Sequence, residues 1–258
     1  MGLRVAISAL IFSAGAAVAS PQTDQLVDAM GIPALIAAFS TEGIENGASV
    51  DDGILNGQGS NVWAETVRRL YDPARLEEEM RAAFAETLDE QVALQALLFF
   101  ESEVGARVIE LEEQARQAML NPELEAAAKA APSANSTTIT EFLEARNLVE
   151  RNTDAAMTAQ IAFFAGIAET SAQTAPPPET DEQRAMMQAE TERWLRGYYA
   201  LAQSPLSADD VAIYTAFWET DVARDVDDVL FEAFGSSYAT LSFGLGQAAG
   251  RLLPQNDL

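Results

Sequence analysis

Residues 99–105 read FFESEVG and residues 217–223 read FWETDVA, the same order of aromatic pair, acid, hydroxyl, acid, valine and small residue at a separation of 118 positions. The chemistry on offer is carried by oxygen. Glu101, Glu103, Glu219 and Asp221 supply four carboxylates, and two of them brought to about 5–10 Å would suit glycoside hydrolysis. The same residues have a structural reading. Ser102 and Thr220 are good N-caps, and Glu103 or Asp221 in the first turn that follows meets the positive end of a helix dipole. The structural reading is the stronger one, because acids at helix starts serve caps and dipoles more often than catalysis. Glu101 and Glu219 have no part in such a cap. The candidate site is therefore Phe99, Phe100, Glu101 and Ser102 with Phe217, Trp218, Glu219 and Thr220.

The rest of the chain narrows the chemistry further. With no histidine there is no Ser-His-Asp triad, no imidazole acid or base and no zinc site of the usual kinds, and a di-iron bundle lacks its Glu-x-x-His. With no cysteine there is no disulfide. The single lysine, Lys129, lies in ELEAAAKAAP without a Ser-x-x-Lys pattern. A calcium-loop template started at Asp52 puts Ile54 and Trp63 where oxygen ligands are required, which leaves only an irregular site at Asp51 and Asp52. GLGQAAG, residues 244–250, resembles a dinucleotide pattern but has eight residues after it, too few for a βαβ unit. Gly246 and Gly250 read instead as places where a terminal helix approaches a neighbour closely. No catalytic residue, metal or cofactor is expected.

Compartment and partners follow from the N-terminus and the charge. Arg4 precedes the apolar run VAISALIFSAGAAVA, which ends in Ala17-Val18-Ala19. That is the pattern of a cleaved signal peptide over residues 1–19 and is too short to span a bilayer. The mature chain is expected in the periplasm of a Gram-negative bacterium, not integral to the membrane. The formal net charge of −25 of the full sequence disfavours nucleic acid and anionic lipid, both of which are bound through clustered Lys and Arg. An envelope protein or an apolar small molecule remains as a partner.

The elements that must position the motif are helical. Residues 23–46 read as one or two helices broken near Gly31-Ile32-Pro33, and a loop is expected where five glycines fall between positions 43 and 59. Asp72-Pro73 and Asn121-Pro122 pair an N-cap with proline at the first helical position. Thr138-x-x-Glu141 and Thr180-x-x-Gln183 resemble capping boxes. Residues 139–172 and 181–203 read as helical segments on either side of APPPET, and the whole chain reads as roughly eight to ten helices. At the offset of 118, Leu88 meets Leu206, Val104 meets Val222, Val108 meets Val226 and Ala115 meets Ala233. Residues 97, 100, 104, 108, 111 and 115 form one apolar helical stripe, which 215, 218, 222, 226, 229 and 233 repeat. Two such units should bury their stripes on one another about a pseudo-twofold axis.

A signal peptide, then EGIENGASVDDGILNGQGSNVWAETVRRLYDPARLEEEMRAAF, then LQALLFFESEVGARVIELE, resembles the secreted bacterial proteins grouped as domain of unknown function 2059. The resemblance is plainest over residues 40–120. Phe99-Phe100, Ser102 and Gly105 match the family's aromatic pair, serine and glycine, while Ala223 departs from the glycine in the second copy and Glu103 replaces a frequent proline. The resemblance implies a helical fold and a secreted location, and it implies no activity.

The expected architecture is all-α, a multi-helix bundle-like domain built from two similar helical repeats. Residues 20–132 would form one unit and residues 133–258 the other, packed as one compact domain. The expected function is non-catalytic, an interaction or envelope-associated role. The alternatives are a carrier holding an apolar ligand between the repeats and a carboxylate-dependent hydrolase of envelope glycans.

Overall fold

The computed structural model describes residues 21–131, 136–171 and 180–253, so the signal-peptide reading and all of the APPPET break but Thr180 lie outside the described residues. Among the described residues there are twelve helices and no strand: the protein is all-α. No single helix among them is long and apolar enough to cross a membrane.

The chain opens with α1 (Pro21–Ala29) and α2 (Ile32–Gly53), bent by 57° at Gly31, whose φ of 66° is the left-handed conformation that glycine adopts without steric cost. The expected loop over residues 43–59 is a correction: α2 runs to Gly53, and only residues 54–59 form the turn before α3 (Ser60–Leu70). Gly43 and Gly47 are buried. A Cβ at Gly43 would overlap the Tyr71 ring and one at Gly47 would meet the Val67 side chain at 2.6 Å, so these glycines let α2 lie close against α3. Helix contact here overrides the low helix propensity of glycine. Asp51, one of the two acids of the possible calcium site, accepts a hydrogen bond from the Gly59 amide at 2.8 Å and ties the turn to α2.

Local cap chemistry sets most of the remaining boundaries. Asp72 accepts from the Ala74 amide and starts α4 (Pro73–Thr87), and Asn121 accepts from Glu123 and Leu124 and starts α7 (Pro122–Ala130). Between them run α5 (Glu90–Phe100) and α6 (Glu103–Met119). Thr180 forms the full capping box with Gln183 at the head of α10 (Asp181–Gln203). The Thr138 box does not form, because α8 (Ser136–Ala145) begins two residues earlier and Thr138 lies inside it. The helical segment read over residues 139–172 holds, among the described residues, two helices. Asn147, at φ 51°, breaks it into α8 and α9 (Leu148–Thr170), a break that asparagine tolerates better than most residues. The twelve helices among the described residues exceed the expected eight to ten.

The chain closes with α11 (Ala208–Trp218) and the long α12 (Asp221–Leu252). Helix α12 packs along α9 and also touches α3, α4, α5 and α11. Its approach to α9 is glycine-mediated, as the reading of Gly246 and Gly250 anticipates: a Cβ on Gly246 would overlap the Phe163 carbonyl, and one on Gly250 would lie 2.8 Å from the Ile167 carbonyl. A core of Leu26, Ile36, Phe84, Phe100, Phe142 and Tyr214, each at most 2% exposed, ties both halves of the sequence together.

Candidate functional site

The two copies of the motif form two helix elbows with the same backbone. Helix α5 ends at Glu101 with φ −81° and ψ −10°, and α11 ends at Glu219 with φ −82° and ψ −8°. Ser102 then adopts φ −66° and ψ 161° and accepts from the Gly105 amide at 3.1 Å; Thr220 adopts φ −78° and ψ 156° and accepts from the Ala223 amide at 3.1 Å. The hydroxyls are N-caps, as their residue types suggest. A Cβ on Gly105 would overlap the Phe99 carbonyl, whereas at the second elbow Ala223 fits and is fully buried.

The aromatic residues of the two elbows meet. Phe99 and Phe217 stack face to face, 3.9 Å between centroids and 3° between planes, and Phe100 meets Trp218 edge-on at 6.1 Å. Rings at that separation are in van der Waals contact, so no ligand fits between Phe99 and Phe217. Glu101 and Glu219 are exposed, and neither carboxylate has a hydrogen-bonded or ionic partner among the described residues. Each is the C-cap of one helix and precedes the N-cap of the next. The structure thus brings the four rings together and leaves the two acids in solvent.

Behind the second elbow lies a buried charge cluster that the motif alone does not reveal. The Arg146 guanidinium sits 3.6 Å from the Trp218 ring centroid and donates to both Asp227 oxygens, at 2.6 and 3.2 Å. Both side chains are sealed from solvent, 7% and 4% exposed. Burial disfavours the guanidinium charge, yet the Asp227 carboxylate holds the Arg146 pKa above its ordinary value. Arg151 approaches the same carboxylate at 3.8 Å and also pairs with Asp228 at 2.9 Å. Arg146 comes from the turn that follows α8, Trp218 from α11 and Asp227 from α12, so the pair joins elements far apart in sequence. In the sequence, Asp227 is visible only as an acid set beside the apolar stripe residues Val226 and Val229.

A second acid, the half-buried Glu112 on α6, lies beside the stripe residues Val108, Leu111 and Ala115. It accepts a 2.7 Å hydrogen bond from the Tyr214 hydroxyl, while Tyr198 donates to its backbone carbonyl at 3.2 Å. Burial raises the Glu112 pKa, opposed by the Tyr214 hydrogen bond and by Arg146 and Arg116. A carboxyl harder to ionise in the folded chain than in the unfolded one weakens the fold as pH climbs from the ordinary value of 4.5 through the raised one. Glu112→Gln keeps an acceptor for Tyr214 and removes that charge. We expect this variant to match or exceed the parent in urea midpoint at pH 7, with the advantage disappearing below about pH 4. A variant less stable than the parent at pH 7 but equal to it in acid would contradict the assignment.

Glu112 also lines a cleft of about 420 Å³ where the α1–α2 bend faces α6 and α10. Met30, Ala34, Leu35 and Ile109 make its apolar wall. Arg116 sits at the same place, 3.5 Å from Glu42 and with its guanidinium 4.9 Å from the Trp194 ring centroid. Among the described residues no three acids converge as a metal site would require.

Comparison with known proteins rests on one segment, which holds the first elbow whole. Residues 74–133 match the model of a family described as an uncharacterized protein conserved in bacteria (DUF2059). The chain resembles that family. The matched span runs from the start of α4 past α7 and includes Phe99, Ser102 and Gly105. No curated protein and no solved structure matches the chain.

Proposed function

We propose that this DUF2059-like protein is a non-catalytic helical protein of the bacterial periplasm, associated with the cell envelope and acting through a protein partner. Its residues 1–19 are a cleaved export signal, and residues 20–132 and 133–258 are two similar helical units packed as one domain. The observation that carries this reading is the use to which the repeated motif is put. Its rings are packed on each other, its hydroxyls cap helices, Glu101 and Glu219 stand in solvent and Asp221 pairs with Arg224 of its own helix, so no two of its acids are paired for chemistry. The equal length of α5 and α11 and the matching elbow dihedrals support the two-unit architecture.

The test is made in cells. Osmotic shock should release a chain beginning at Ser20, and crosslinking through an exposed position near an elbow, such as Leu98, should give the same single envelope protein in independent experiments. A full-length chain retained in the cytoplasm would refute the location. A processed chain that never gives a reproducible crosslink would refute the partner.

A further inference from the structure

The cleft between the α1–α2 bend, α6 and α10 has the size of a small-molecule site and an unusual charge balance for its wall. At about 420 Å³ it lies within the range of ligand pockets, and its sides are largely apolar. Two successive acids, Glu112 and Glu113, line it, and among the described residues neither forms an ion pair. Tyr214 occupies one oxygen of Glu112 and leaves the other without a hydrogen bond. Glu113 lies over Gly31, where a Cβ would come within 2.7 Å of its carboxylate oxygen. The cation in the cleft, Arg116, is already engaged with Glu42 and stacked on Trp194, and the Tyr198 hydroxyl donates to the Glu112 carbonyl. Among the described residues no cation lies within ion-pair distance of Glu112 or Glu113, and Arg146 and Arg116 act on Glu112 only from beyond it.

We propose that this cleft binds a small amphiphilic cation, an ammonium group carried on an apolar body, with the ammonium on the Glu112 and Glu113 carboxylates and the body against Met30, Ala34, Leu35 and Ile109. Burial pushes the Glu112 carboxyl up, and burial with the neighbouring Glu110 does the same for Glu113. A bound ammonium would relieve both, since a charge-assisted hydrogen bond replaces lost hydration. The formal net charge of −25 concentrates cations near the surface and adds to the on-rate. This inference does not rest on the export and partner reading above, because it is argued from the cleft alone.

The test is titration calorimetry on the mature chain with octylammonium, octanoate and octanol, and with alkylammonium chains of four to ten carbons, at 0.15 M salt. Octylammonium should bind at least tenfold more tightly than octanoate or octanol. Affinity should rise up to about fourfold per methylene until the apolar wall is covered. Ala34→Trp fills the cleft from an exposed position of α2 and should abolish binding, whereas attraction to the acidic surface at large would survive it. The double substitution Glu112→Gln and Glu113→Gln should erase the preference for the ammonium, with circular dichroism checking that the fold persists. Octanoate or octanol binding within threefold of octylammonium, unchanged binding in Ala34→Trp, or no binding by any of the three would each overturn the proposal. Should the double variant unfold, the ligand series and Ala34→Trp still decide.

Discussion

Asp227→Leu should be among the most damaging single substitutions in this protein, costing about 3–5 kcal/mol in urea unfolding at pH 7, because it leaves the Arg146 charge buried and unpaired. Arg146→Met should cost less. Arg151, 3.8 Å from Asp227, remains to compensate the carboxylate when Arg146 is gone, whereas among the described residues Arg146 has no second carboxylate within ion-pair distance. The double variant should recover most of the loss, since an apolar pair of similar volume avoids the desolvation of two ions. The measurement is a double-mutant cycle on urea midpoints, and the expected coupling exceeds about 2 kcal/mol. Single variants within 1 kcal/mol of the parent would mean that water reaches the pair and that the cluster is not the closed structure described above.

The cluster also explains why the second elbow carries tryptophan where the first carries phenylalanine. Phe100 is packed on Phe217 and Trp218 and, among the described residues, faces no cation within cation–π distance. Trp218 carries the Arg146 guanidinium on its face, and indole is the strongest cation–π partner among the aromatic side chains. The two elbows share a backbone and differ in what they hold. One closes on itself through Gly105, and the other seats a buried charge.

What could be read in the sequence was what depends on near neighbours in the chain. Asp72, Asn121, Thr180, Ser102 and Thr220 cap helices because an oxygen two or three residues before a free amide is a local fact. The glycines of α2 misled for the opposite reason. Gly43 and Gly47 signal a loop on propensity, and only the Tyr71 and Val67 side chains, brought alongside by the fold, turn them into helix contacts. Asn147 stood in an otherwise helical run and showed its left-handed turn only in three dimensions. At the candidate site the rings of the motif were legible and their face-to-face stacking was not. Glu112 and Asp227 left a faint trace as acids flanking apolar stripes, but their partners Tyr214 and Arg146 lie 102 and 81 residues away. No spacing rule reaches that far.

Helix α12 offers a test in which the same residue type gives opposite signs along one helix. Gly246 faces the backbone of α9: a Cβ there would overlap the Phe163 carbonyl and lie 3.1 Å from the Gly166 Cα, while a Cβ on Gly166 would in turn overlap the Phe243 carbonyl. The obstructing atoms are main chain and cannot rotate away, so the two helices would have to separate along their shared length. Gly246→Ala should cost about 1–3 kcal/mol, the range of overpacked cores, and Gly246→Val more than that. Gly235, on the same helix, would place a Cβ in open space. There the helix propensity of alanine should dominate and Gly235→Ala should stabilise by up to about 1 kcal/mol. Thermal unfolding followed by circular dichroism reads both, with the helical signal at low temperature reporting whether Gly246→Val folds at all. If Gly246→Ala and Gly235→Ala shifted stability in the same direction, the close approach of α9 and α12 would not be what their glycines are for.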